Sequence, residues 1–274
     1  MESNPIPPEN TPVSEENRNR EDVRIVGEMP RQPLQHRLVT LLFVLAAVIT
    51  ALILIYTRVF GIRNIEITGL QSISQDEVIR LSGITGRSNY FTLNEAKIRT
   101  GIEKNRYLSL ESMEKVWPNG IILTVCERQA CINVLSAGIQ YTASEDGMVL
   151  ESYASLRLDN GCITATGLSI RDIRVGSKIV CYNSEQLDDL LSTVTELEAQ
   201  GYSGEISEIN LSDLSSIYLV TTDDYVANIG DAQQLRAKIG TVRAVVAELR
   251  SRGLKGGMIE ATVPGEASYR PVSD

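Results

Sequence analysis

The chain has 274 residues, 43% of them hydrophobic but only 5% aromatic, and carries a formal net charge of -9 at neutral pH. That length holds one large or two medium domains, each able to bury a core. No Lys/Arg-rich run is present to neutralise phosphates, which argues against nucleic acid as a partner.

Residues 1–36 open with a stretch, 1–31, that holds Pro5, Pro7, Pro8, Pro12 and Pro30 among Glu, Asn and Arg, with few apolar residues. Such a stretch buries too little surface to offset its ordering entropy, so it reads as a disordered cytosolic tail. Residues 37–57 read as a transmembrane signal-anchor helix. Its heart, LVTLLFVLAAVITALILIY, holds no charge from Leu38 to Tyr56. A helix of that length spans about 28 Å, close to the ~30 Å of bilayer hydrocarbon. It is apolar on every face, unlike the helices of soluble proteins. A cleaved signal peptide fits poorly, because the run starts far from Met1 and is followed by TRVFGIRN instead of a small-residue cleavage site. Arg18, Arg20, Arg24, Arg31 and Arg37 precede it, and only Arg58 and Arg63 follow closely. The positive-inside rule then places the amino terminus in the cytosol and the rest outside, a single-pass type II arrangement.

Residues 58–128 predict a β-α-α-β-β module. Ile65 and Ile67 share one face of a strand over 62–68. Ser74 and Glu77 form a capping box opening a helix over 75–83, which Gly83 closes. Ala96, Ile98 and Ile102 mark a second helix over 93–104. Strands over 108–116 and 121–126 are joined by Trp117-Pro118-Asn119-Gly120, which is turn chemistry. Residues 129–263 predict a β-rich domain. In it the turn Glu145-Asp146-Gly147 separates strands over 139–141 and 148–150. A helix over 184–200 carries Leu187, Leu190, Leu191, Val194 and Leu197. Strands over 206–211, 217–222 and 225–229 follow, the last two turning at Asp223-Asp224. A helix over 233–252 carries Leu235, Ile239, Val242, Val246 and Leu249, and residues 258–263 form a last strand before a C-terminal tail over 264–274. Strand runs with segregated helices make this an α+β protein.

Catalytic signals are sparse. The only histidine, His36, precedes the apolar run, so the outer region has none for a nucleophile pair or a zinc site. Cys126, Cys131, Cys162 and Cys181 all lie on the outer side. Their spacing allows three pairings or free thiols and selects none of them. Ser112-Met113-Glu114-Lys115 matches the Ser-x-x-Lys of penicillin-binding proteins, but sits in a predicted strand without the Ser-x-Asn and Lys-Thr-Gly partners. No phosphate-binding glycine loop occurs. The expectation is a binding protein without catalytic residues, cofactor, metal or small-molecule substrate, whose acidic surface serves solubility.

The order of elements and several local strings together resemble the bacterial cell-division family FtsQ/DivIB. These strings are Phe60-Gly61-Ile62-Arg63-Asn64-Ile65 with Gly69, Lys115-Val116-Trp117-Pro118-Asn119, Val125-Cys126-Glu127-Arg128-Gln129, Asp146-Gly147-Met148-Val149 and Gly257-Met258-Ile259-Glu260. Gln129 stands where the family favours Pro, and Glu260 where it favours Asp. The resemblance implies a POTRA domain over 58–128 and a membrane scaffold of the septal cell-wall synthesis complex. Its implied partners are the FtsB/DivIC-like and FtsL-like proteins, and through them the septal synthases. It also implies that the last strand of the β domain receives the partner, which here gives Met258, Ile259, Glu260, Ala261, Thr262 and Val263, with Tyr269 and Arg270 just beyond. Val263 occupies an aromatic position of some relatives, which leaves Tyr269 as the local aromatic anchor. Two other readings differ in what they require. A POTRA-bearing outer-membrane assembly protein needs barrel strands after Pro264, and a tethered wall hydrolase needs a catalytic site.

Overall fold

The computed structural model describes residues 34–157 and 160–271. Of the tail expected over residues 1–36, residues 1–33 lie outside this range. The chain falls into two compact units, Met1–Arg58 and Val59–Asp274.

The described part of the first unit is helix α1 (Leu34–Val59), somewhat longer than the expected 37–57. Its apolar stretch, His36–Val59, is long enough to cross a membrane. The hydroxyls of Thr40, Thr50 and Thr57 donate to the carbonyls of His36, Ala46 and Ile53 at 2.8, 2.8 and 2.9 Å. Each threonine is thereby satisfied within the helix, as a lipid environment demands.

The second unit begins with the β-α-α-β-β module. Strand β1 (Asn64–Thr68) runs parallel to β3 (Gly120–Glu127), which pairs antiparallel with β2 (Leu108–Val116). Helix α2 (Gln75–Ser82) starts where the Ser74 side chain accepts the N–H of Glu77, and ends at Gly83 in the left-handed conformation, φ +68°. Helix α3 (Glu95–Ile102) is capped by Asn94, which accepts from Lys97 N–H at 3.1 Å. Val78, Ile98, Ile102, Leu108, Leu110 and Leu123 fill its own buried core.

The remainder builds a second core around one mixed nine-stranded sheet. Its strands are β4 (Ile132–Ser136), β5 (Ile139–Ala143), β6 (Val149–Tyr153), β7 (Ile163–Thr166), β10 (Ile206–Asn210), β11 (Ile217–Thr221), β12 (Tyr225–Gly230), β13 (Gly257–Val263) and β14 (Glu266–Arg270). They lie in the order β14-β13-β12-β11-β10-β7-β4-β5-β6, while β8 (Ile170–Asp172) and β9 (Val180–Cys181) form a small side sheet. Helix α4 (Ser184–Ala199) connects parallel β7 to β10, and α5 (Leu235–Ser251) connects parallel β12 to β13. The expected helix stripes are core: Leu190, Val194, Leu197, Ile239, Val242 and Val246 pack with Ile209, Leu219, Ala227 and Ile259. Strands β4, β7, β8 and β9 were not anticipated from the sequence. Neither was β14, which occupies part of the expected C-terminal tail and carries the domain beyond the predicted limit of residue 263.

Two consecutive residues at the end of β3 join the modules. Glu127 Oε1 accepts the backbone N–H groups of Gln71, Ser72 and Ile73, each at 2.8 Å, and so fixes the approach to α2. Arg128 turns the other way and is almost fully buried. Its Nε and Nη2 donate to Asp146 at 2.9–3.1 Å, while Nη1 donates to the carbonyls of Leu108 at 2.5 Å and Arg106 at 3.3 Å. Asp146 sits in the turn between β5 and β6 and also accepts from the Ser144 hydroxyl at 2.6 Å. Farther along, the Tyr107 hydroxyl donates to Glu151 on β6 at 2.7 Å. The Glu-Arg string and the Asp-Gly string, separate in sequence, are thus one joint.

Burial opposes the charge on Asp146, yet the hydrogen bonds from Arg128 and Ser144 outweigh it and hold the carboxyl below its ordinary range. Glu127 is likewise lowered: its desolvation is overcome by the three backbone donors. Both groups therefore stabilise the fold fully above their unfolded values near ~4, and this contribution is lost as pH falls through their lower folded values. Replacing Asp146 by Asn is expected to cost about 1–3 kcal/mol in denaturant unfolding, because the Arg128 guanidinium stays buried without its counter-charge. The variant should also lose less stability than the parent between pH 4 and the acid limit.

Candidate functional site

The candidate docking surface is the end of the sheet, formed by β13, β14 and the turn between them. Pro264 and Gly265, with Gly265 at φ +79°, supply the residues a tight turn needs. The N–H of Gly265 donates to the Thr241 hydroxyl of α5 at 2.9 Å, which ties the turn to the helix. Beyond it the chain folds back, pairing Met258 with Arg270, Ile259 with Tyr269, Glu260 with Ser268 and Val263 with Glu266.

The structure distributes the site residues expected from the sequence over β13 and β14. Strand 258–263 is not an edge: β12 flanks it on one side and β14 on the other. Ile259 and Ala261 are fully buried. Ala261 and Thr262 fall within the register shift between Glu260 and Val263, and Val263 is half exposed. Met258 and Glu260 are partly buried and already paired to β12 through Val226 and Asn228. Of the residues expected to contact a partner, only Tyr269 and Arg270 lie on the terminal strand. Glu266, Ala267 and Ser268, absent from that expectation, are exposed on it as well. The Pro264-Gly265 pair was the available signal.

Tyr269 anchors the edge from inside. Its hydroxyl donates to the Gly256 carbonyl at 3.0 Å, and its ring packs on the domain core. Gly257 makes this possible. It sits at φ +108°, and a Cβ there would lie 2.6 Å from Tyr269 Cε2 and 2.8 Å from the Arg270 carbonyl oxygen. Glu266 and Arg270 place opposite charges at the two ends of the strand.

The residues considered for chemistry are dispersed. Ser112 and Lys115 are three apart on β2, so their side chains leave opposite faces of the strand. Lys115 Nζ donates to the Leu93 carbonyl at 3.1 Å and lies 5.8 Å from the Tyr90 ring centre. All four cysteines are free thiols, with Cys162 and Cys181 buried and Cys126 and Cys131 partly so. Burial, reinforced by the neighbouring Cys162, pushes the Cys131 thiol up to about 12. Burial raises the other three as well. Cys126, Cys131 and Asp146 border a cleft of about 400 Å³ beside the Arg128 joint. Among the described residues, no group of three or more His, Cys, Asp or Glu is placed to hold a metal ion.

One apolar helix of membrane-spanning length, a three-stranded β-α-α-β-β module and a larger sheet with an open terminal strand define a class of membrane-anchored protein with a POTRA domain. The family profile "POTRA domain, FtsQ-type" matches residues 60–128. Cell division protein DivIB of Clostridium tetani is 22% identical over 207 residues, covering 75% of this chain and 77% of the relative. Cell division protein FtsQ of Bradyrhizobium diazoefficiens is 30% identical over 98 residues, 36% of this chain and 29% of the relative. The major extracytoplasmic domain of DivIB from Geobacillus stearothermophilus aligns with 46% of this chain and 96% of its own length, at 18% identity and a TM-score of 0.31. The profile match and these relatives together support an FtsQ/DivIB family protein.

Gly257→Ala is expected to release β14 while leaving the buried core folded. Hydrogen exchange at residues 266–270 should then accelerate at least about tenfold, with the amides of β11 and β12 unchanged. Cys131, with roughly one part in 10,000 as thiolate at pH 8, should resist iodoacetamide in the native chain and react promptly once unfolded.

Proposed function

We propose that this protein is a division scaffold that captures a partner by strand addition to the outer edge of β14. The observation carrying the proposal is the position of β14 at the end of the sheet, where no strand among the described residues covers its far side. An exposed terminal strand presents backbone N–H and C=O groups that can accept a strand from another chain. The relatives named as cell division proteins support a role in division, and the family resemblance supplies the partners, FtsB/DivIC-like and FtsL-like proteins. In this reading the amino terminus is cytosolic, the unit after Arg58 is extracytoplasmic, and the chain gathers at the septum. There it assembles and regulates peptidoglycan synthesis through its partners. Tethering beside other membrane proteins raises the effective concentration of the docking edge.

A non-enzymatic role agrees with the site chemistry. The outer unit has no histidine, Lys115 is engaged away from Ser112, and the thiols are pushed toward their protonated forms. The domain limits proposed are residues 58–128 for the POTRA module and 129–270 for the β domain.

Proline scanning along β14 tests the mode. Adjacent residues of an edge strand direct their N–H groups alternately inward and outward, so one of Ala267→Pro and Ser268→Pro removes an outward donor and keeps the fold. Binding of the full chain in nanodiscs to the outer segment of the FtsB/DivIC-like protein of the same organism should weaken about tenfold or more in that variant. Unchanged binding in both folded variants would refute strand addition at β14.

A further inference from the structure

The aromatic residues of the outer unit are unevenly placed. The chain has three Phe and one Trp. Phe43 lies in the apolar helix, and the other two Phe meet the single Trp at one point on the surface. Phe60 and Phe91 stand edge to face, with ring centres 4.9 Å apart, and Phe60 and Trp117 do so at 6.3 Å. Phe91 is 58% exposed and Trp117 70% exposed, and Val116 beside them is 45% exposed. Rings this large usually enter a core, and a cluster left outside marks a surface that something covers.

The cluster is built rather than incidental. It joins three segments through the backbone. Tyr90 N–H donates to the Phe60 carbonyl at 2.8 Å, Ile62 N–H to the Ser88 carbonyl at 2.9 Å, and Arg63 N–H to the Asn119 carbonyl at 3.1 Å. Gly61 and Asn89 form an isolated antiparallel bridge between two of the segments. The Tyr90 ring closes the group against Phe91 at 5.4 Å.

Covalent connectivity identifies what is near. Phe60 comes two residues after Arg58, so the chain itself keeps their Cα atoms within about 8 Å. Arg58 lies in the last turn of the apolar helix. The rings are thus tethered beside the point where a membrane-spanning helix meets the headgroup layer. That layer is where Trp and other amphipathic aromatics partition best.

We propose that Phe60, Phe91 and Trp117 form a foot that seats the POTRA module in the headgroup layer of the bilayer carrying the anchor. The foot restrains the first module against the lipid surface and so limits the angles at which the β14 edge is offered. Exposed charges near the rings, Arg58, Arg63, Arg87 and Lys115 against Glu66 and Glu114, leave an excess of cations that adds a salt-dependent attraction to anionic headgroups beside the contact made by the rings.

The inference rests on the helix spanning the membrane, and one experiment separates the two ideas. The full chain is reconstituted into vesicles of phosphatidylcholine and phosphatidylglycerol, with or without phosphatidylcholine brominated near the glycerol end of its acyl chains. Trp117, the sole tryptophan, reports its own depth. Vesicle flotation with about twofold quenching by brominated lipid is the expected result, and Phe60→Ser/Phe91→Ser should reduce that quenching while thermal unfolding stays cooperative. Flotation with Trp117 unquenched and fully accessible to iodide would overturn the foot and leave the anchor intact. Failure to float would overturn the anchor, and the foot with it.

Discussion

The organisation of the second unit depends on the pair between the buried Arg128 and the partly exposed Asp146. A guanidinium out of water is tolerated only when its donors are matched, and here Nε, Nη1 and Nη2 all find acceptors. The acceptors come from three places: the turn between β5 and β6, the start of β2, and the loop before it. Moving either module would strand a charge. Glu127, the preceding residue, performs the matching task within the POTRA module by collecting three backbone donors ahead of α2. One dipeptide therefore specifies both the internal geometry of the first module and its attachment to the second.

From that joint the sheet carries position outward. Glu151 on β6, at one end of the sheet, receives Tyr107 from the first module, and β14 lies at the other end. Eight strand spacings of ~4.8 Å separate them, roughly 40 Å across the domain. The first module therefore meets the sheet at its β6 end, and α4 and α5 pack on the strands that lead from there to β14.

The sequence made much of this legible, for identifiable reasons. The apolar helix, the capped α2 and the stripes of α4 and α5 declare themselves because one periodic pattern dominates each segment. The same holds for the β2–β3 hairpin, whose turn residues admit few alternatives. Strands β4 and β7 escaped because they are short and half polar. Asn133, the second residue of β4, is buried because Gln140 and Asn160 satisfy its amide, at 2.8 and 2.9 Å. Strand β14 escaped for a different reason. Glu-Ala-Ser-Tyr-Arg buries little on either face, so no hydrophobic alternation announces it, and its pairing with β13 is what makes it a strand. Both halves of the Arg128–Asp146 pair lay in recognised strings, but their meeting is a product of the fold. The same is true of Phe60, Phe91 and Trp117, which lie tens of residues apart and become neighbours only through the backbone bonds around Gly61.

The place of β14 in chain order has its own consequence. It follows every other strand of the sheet in sequence, and it can dock only on β13, which itself requires α5 to have returned from β12. During synthesis, at about 5–20 residues per second, the terminal strand is accordingly the last strand of this sheet able to form. Until then β13 presents its own unpaired edge, an aggregation hazard that the short, polar β14 closes. A chain interrupted at any earlier point has no such strand to offer. Whatever recognises β14 thereby requires a sheet whose other strands have already been made.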